Sequence, residues 1–199
     1  MPDLLPRWLR LLPDSEAVFA DLVSRYGEPE RHYHTLDHIR AVLDHIDAHR
    51  PNAPAALLFA AWLHDVIYDP RAADNEARSA DFARAVLSNA AIASATIDET
   101  ARLILLTRSH EAHPDDRLGC TLLDADLAIL AADELAYDAY ADAIRREYAW
   151  VPEPDYRSGR RKVLERFLVR PRLFFTMEMA DAEPRARHNL TREVARLGS

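Results

Sequence analysis

Apolar residues recur at intervals of three and four along most of the chain, the repeat that lines one face of a helix. Leu36, Ile39, Leu43 and Ile46 set this phase for a helix over residues 35–49. An earlier helix over 15–26 is capped by Asp14 or Ser15 and closed by Gly27, with Pro29 beyond it. Pro51 and Pro54 bracket a turn, and residues 55–68 follow with apolar side chains on nearly every face, which predicts a buried helix. Further helices are predicted from Asp74 to about Leu87 and over 96–109, 121–131, 133–149 and 158–168, with a last amphipathic piece after Glu183–Pro184. No alternating run is long enough to read as a strand, and no repeat or linker divides the chain. The pattern predicts one all-α domain in which the 55–68 helix is central, since it alone lacks a solvated face.

Composition agrees with this reading. Apolar residues make up 49% and charged residues 29% of 199, with only four glycines, a balance that favours a cored helical protein over a disordered or turn-rich one. The net charge of −8 argues against a nucleic-acid binder. The chain has one cysteine, Cys120, so no intrachain disulfide is available. No run approaches the length of a membrane span, and the opening Met1–Arg7 lacks the basic-then-apolar layout of a leader. These features lead to the expectation of a cytoplasmic protein with no membrane partner; a homodimer stays open.

One dipeptide breaks the apolar run. His64–Asp65 would place an imidazole and a carboxylate in a buried segment, where each needs a partner. A metal ion would serve both; a buried ion pair, or a hydrogen-bonded pair at a helix end, is the alternative. Adjacent helical residues point about 100° apart, so further ligands must come from elsewhere. The 121–131 helix offers Asp124 and Asp126, whose spacing should let only one face the core. Asp126 has Leu122, Leu123, Ile129 and Leu130 at its helical neighbours and is expected to be the buried one. Before the 35–49 helix, His34 and His38 stand four apart; His38 lies in the regular part and is the safer ligand, with His34 at the helix edge.

In this order, the blocks Tyr-His-Thr-Leu-Asp-His, Trp-Leu-His-Asp-Val-Ile-Tyr-Asp-Pro, Asn-Glu-Ala-Arg-Ser-Ala and Leu-Leu-Asp-Ala-Asp-Leu-Ala-Ile-Leu resemble the HD superfamily of metal-dependent phosphohydrolases. The closer likeness is to a bacterial branch described only as predicted HD phosphohydrolases, and it covers about residues 30–170. It implies a helical bundle with additions at both ends. His38, His64, Asp65 and Asp126 would then be the four ligands of a divalent ion: Mn, Fe, Co, Zn or Mg. The implied reaction is attack of activated water on a small phosphorylated molecule, with a nucleotide as the leading substrate.

Nucleotidase-like members of that superfamily carry a Glu three residues after the aspartate of the His-Asp pair, and Tyr68 stands there instead. Asp69 becomes the acid/base candidate if the helix continues through it, with a helix-ending role before Pro70 as the alternative and Glu76 next in line. His110 is a candidate second-metal or phosphate ligand, or a cation at a helix C-terminus. Arg78, and Arg160 in the basic run 156–162, are candidate phosphate contacts; pairing with acidic neighbours is the alternative for both. Two other functions compete with hydrolysis: a degenerate domain that binds a nucleotide without turnover, and a di-iron oxygenase. The second needs two further His ligands, which only His110 and His113 could supply.

Overall fold

The computed structural model describes residues 4–198; Met1 to Asp3, part of the stretch read for a leader, and Ser199 lie outside the described residues. Ten α-helices follow one another: α1 Leu4–Leu11, α2 Glu16–Tyr26, α3 Leu36–His49, α4 Ala55–Leu63, α5 Asn75–Asn89, α6 Ser94–Leu106, α7 Arg117–Asp126, α8 Glu134–Glu147, α9 Glu153–Leu168 and α10 Glu183–Gly198. Short 3₁₀ turns occupy Leu127–Ala131 and Met177–Ala182. No strand occurs among the described residues. The fold is all-α, as the periodicity predicts.

Helix α4 is the centre of the larger half. Ala56, Leu57 and Phe59 through Leu63 are all buried, and α4 packs against α1, α3, α5, α6 and α7. Helix α1 lies over a stretch the pattern leaves unassigned; it is held by Leu4 and Trp8, both fully buried, with the Trp8 ring edge-on to Trp62. The predicted 55–68 helix is shorter than expected, because its last carbonyls are taken by other groups. The Tyr26 hydroxyl donates to the Trp62 carbonyl (2.7 Å), and the Arg31 guanidinium donates to the carbonyls of Asp65 (2.6 Å) and Val66 (3.1 Å). With its orphan acceptors satisfied from outside, the chain is free to turn at His64 rather than continue.

A second apolar cluster is built from the 3₁₀ turn after α7 and from α8, α9, α10 and the 173–179 segment, around Tyr137, Leu164, Leu173 and Leu190. Helix α7 joins the two clusters. Its first turn is capped by Asp116, which accepts from the Gly119 amide (3.0 Å) and pairs with Arg102 (2.6 Å). A Cβ on Gly119 would lie 2.5 Å from the Asp116 carboxylate, so the cap closes only over a glycine.

Asp124 corrects the helix-phase expectation. It is 1% exposed and is the more buried of the two, the Asp126 side chain being 11% exposed, because the 173–176 segment covers the Asp124 face of α7. Its carboxylate accepts from the amides of Phe175 (2.8 Å) and Thr176 (2.7 Å) and from the Thr176 hydroxyl (2.6 Å).

Candidate metal centre

The site lies where α3, the end of α4 and the end of α7 meet. Thr35 caps α3, its hydroxyl accepting from the Asp37 amide, and so places His38 one turn into the helix with its ring facing inward. His64 and Asp65 follow the last residue of α4. The 100° separation expected of helical neighbours does not apply beyond the helix end, and the two side chains reach one point, His64 Nε2 to Asp65 Oδ2 being 3.1 Å.

His38 Nε2 is 3.3 Å from His64 Nε2 and 3.6 Å from Asp65 Oδ2. Asp126 Oδ1 closes the set from α7, 3.1 Å from His38 Nε2 and 3.5 Å from His64 Nε2. Ligand atoms about 2.1 Å from a shared ion would stand about 3.0 Å apart at right angles and about 3.4 Å apart in a tetrahedron, and all five separations fall close to this range. His38, His64 and Asp65 therefore form a buried group that could hold a metal ion. The chemistry of the set agrees: His64 Nδ1 faces the Ala61 carbonyl at 3.1 Å, an acceptor that takes the Nδ1 proton, so that the neutral ring, the form a metal binds, directs its Nε2 lone pair into the cluster.

The electrostatics are those of a site built around positive charge. Burial disfavours the protonated His64 ring, but Asp65 and Asp126 outweigh it and hold its pKa well above the usual value. Burial likewise opposes ionisation of the two carboxylates, yet the neighbouring imidazoles, His64 first among them, keep both below the ordinary carboxylate range.

His110 and His34 border the cluster. His110 follows α6 with φ of 50°, a left-handed conformation uncommon outside glycine, and its carbonyl is held by Arg170 at 2.7 Å. Its Nε2 meets the second oxygen of Asp126 at 3.1 Å. His34 stacks on Tyr68, with ring centroids 4.1 Å apart, and its Nδ1 donates to Glu147 Oε2 at 2.7 Å.

Other candidates stand elsewhere. Because α4 ends at Leu63, Asp69 is not one helical turn beyond Asp65. It is exposed in the loop between α4 and α5, where its carboxylate accepts from the Arg71 amide and Asn75 binds its backbone on both sides, so it neither reaches the cluster nor ends a helix, contrary to both expectations. Glu76 and the exposed Arg78 lie in the first turns of α5, and neither lines the cavity beside the cluster. Arg160 does reach that cavity, but its Nε donates to Glu193 (2.8 Å), the acidic-neighbour alternative. His113 is exposed beside Asp115, so only one of the two additional His ligands required for a di-iron site approaches the cluster.

Glu147 is the residue beside the site that the sequence hides. At the end of α8 it reads as one more charge on an amphipathic helix, yet it is buried. Its Oε1 accepts from the amides of His32, Tyr33 and His34, and its Oε2 from His34 and the Tyr68 hydroxyl. Burial alone would raise its pKa; the hydrogen bond and charge of His34, with the backbone N–H groups, bring it down to about 2. It fixes the loop that carries His34 in front of α3.

The cavity opens off Asp126, His34 and His110, measures about 530 Å³ and borders the second apolar cluster through Leu127, Leu130, Tyr140 and Phe167. No helix of the described residues is long and apolar enough to cross a membrane. No family model, curated protein or solved structure matches the chain.

Proposed function

We propose that this chain is a metal-dependent phosphohydrolase of the HD type, with His38, His64, Asp65 and Asp126 holding a divalent ion and a small phosphorylated molecule as substrate. The observation that carries the reading is the group His38, His64 and Asp65, spaced as a shared ion requires, with Asp126 from α7 within 3.1 and 3.5 Å of the two imidazoles. Two imidazoles and two carboxylates suit Mn, Fe, Co, Zn or Mg. An ion bound there supplies Lewis acidity toward a phosphoryl oxygen and lowers the pKa of water. The chain's own residues orient and bind. Asp126 is held from its far oxygen by His110, and His34, braced by Glu147 and stacked on Tyr68, faces the substrate space. Cleavage joins water oxygen to phosphorus as the ester oxygen leaves and takes up a proton, giving phosphate and an alcohol.

The test is phosphate release by the full chain across this metal series, with a panel of phosphate esters. Release that requires the metal, and that falls by at least about 10²-fold in Asp126→Ala, is the expected result. Bound metal with no release from any ester would overturn the reading in favour of a binding domain.

A further inference from the structure

The wall of the cavity restricts what can occupy it. Six aromatic rings line it, those of Tyr33, Tyr68, Tyr140, Tyr148, Tyr156 and Phe167, with Leu130, Ile144 and Val163 between them. Tyr33 stands edge-on to Tyr140 with centroids 4.6 Å apart, the arrangement by which rings receive another ring. The volume lies within the range that encloses a small organic ligand.

Cations for a chain of phosphates are missing from this lining. Arg160 is the one arginine or lysine among the described lining residues, and it is already engaged. Its Nε and Nη2 donate to the two oxygens of Glu193 at 2.8 and 3.2 Å, and Nη2 also to the Tyr140 hydroxyl at 3.3 Å. The pair is buried, with side chains 9% and 7% exposed, and neutral as a unit. Asp155 adds a negative charge to the same lining. A polyphosphate placed here would lose its hydration without gaining charge-assisted donors. One phosphoryl group has a place, at the end where His34, His110 and Asp126 border the cluster.

Resting on the phosphohydrolase reading, we propose that the substrate is a phosphate monoester of an uncharged, ring-bearing apolar alcohol, its phosphoryl group at the four-ligand cluster and its ring among the tyrosines. A nucleotide that carries a chain of phosphates does not match this lining, which narrows the nucleotide substrate that the family resemblance implies.

Calorimetric titration of the Mn²⁺-loaded full chain tests binding apart from turnover, with naphthylmethylphosphonate, methylphosphonate, AMP and a non-hydrolysable ATP analogue as probes. The naphthyl compound should bind at least about tenfold tighter than methylphosphonate, as ring burial requires, and tighter than either nucleotide. Val163→Trp, filling the cavity from its exposed edge without adding charge, should remove that advantage while leaving methylphosphonate binding unchanged; Phe167→Ala should reduce it. Equal affinity for the two phosphonates, or tighter binding of AMP or the ATP analogue, would overturn the proposal. If the naphthyl compound binds as expected but naphthyl phosphate is not hydrolysed with any metal, the cavity assignment stands and the phosphohydrolase reading falls. Hydrolysis of esters with no preference for a ring would do the reverse.

Discussion

Glu147 shows how much one carboxylate can organise. It satisfies three consecutive amides ahead of α3 and two side chains that face the cavity. Its folded pKa of about 2 lies below the unfolded value of about 4.3. The folded state therefore binds its proton later than the unfolded state as pH falls. The stabilisation from ionised Glu147 is fully present above about pH 4.3 and is lost as pH falls toward about 2. The stability gap between the native chain and Glu147→Gln should be full near neutrality and close over that window in thermal melts recorded at a series of pH values. A gap independent of pH would mean that Glu147 acts through packing rather than charge.

At the scale of elements, α7 serves two purposes through two aspartates. Asp126 turns to the His38–His64–Asp65 cluster, and Asp124 fastens the helix to the 173–176 segment of the second apolar cluster. Replacing Asp124 with Ala would leave the Phe175 and Thr176 amides without their acceptor. Unsatisfied buried donors cost about 1–3 kcal/mol, so denaturant unfolding of Asp124→Ala should show a loss of that size with the metal site still formed. A change under about 0.5 kcal/mol, as expected of an ordinary surface substitution, would show that the segment finds other partners. Arg31 plays a comparable part at the end of α4, where its donors replace the next helical turn.

Across the whole molecule, the contacts of His38, His64, Asp65 and Asp126 bring α3, the end of α4 and α7 to one point, and the cavity borders the second apolar cluster. An ion that binds only the folded chain stabilises it by mass action, about 2.7 kcal/mol at a hundred times its Kd. In a chain of this size, that corresponds to about 5–10 °C in Tm. Chelation should lower the Tm of the native protein by an amount of this order and leave Asp126→Ala nearly unaffected. Identical melting curves with and without chelator would show that the cluster holds no ion in solution.

Local spacing was enough to predict the all-α class, the central place of the helix that begins at Ala55, though not its end, and the inward turn of His38, because helical periodicity and caps act over a few residues. It also marked His64, Asp65 and Asp126 as polar side chains needing partners, since ligand-type residues in apolar runs stand out in one dimension. Tertiary structure decided the rest. Where α4 stops depends on Arg31 and Tyr26 reaching it from distant positions, and that stop removed Asp69 from the cluster and let His64 and Asp65 converge. The inward turn of Asp124 depends on a segment fifty residues away covering the second face of α7. Glu147 and the tyrosine-lined cavity leave no local signal, because a charge on α8 and rings spread from Tyr33 to Tyr156 acquire a shared surrounding only once elements distant in the chain have packed together.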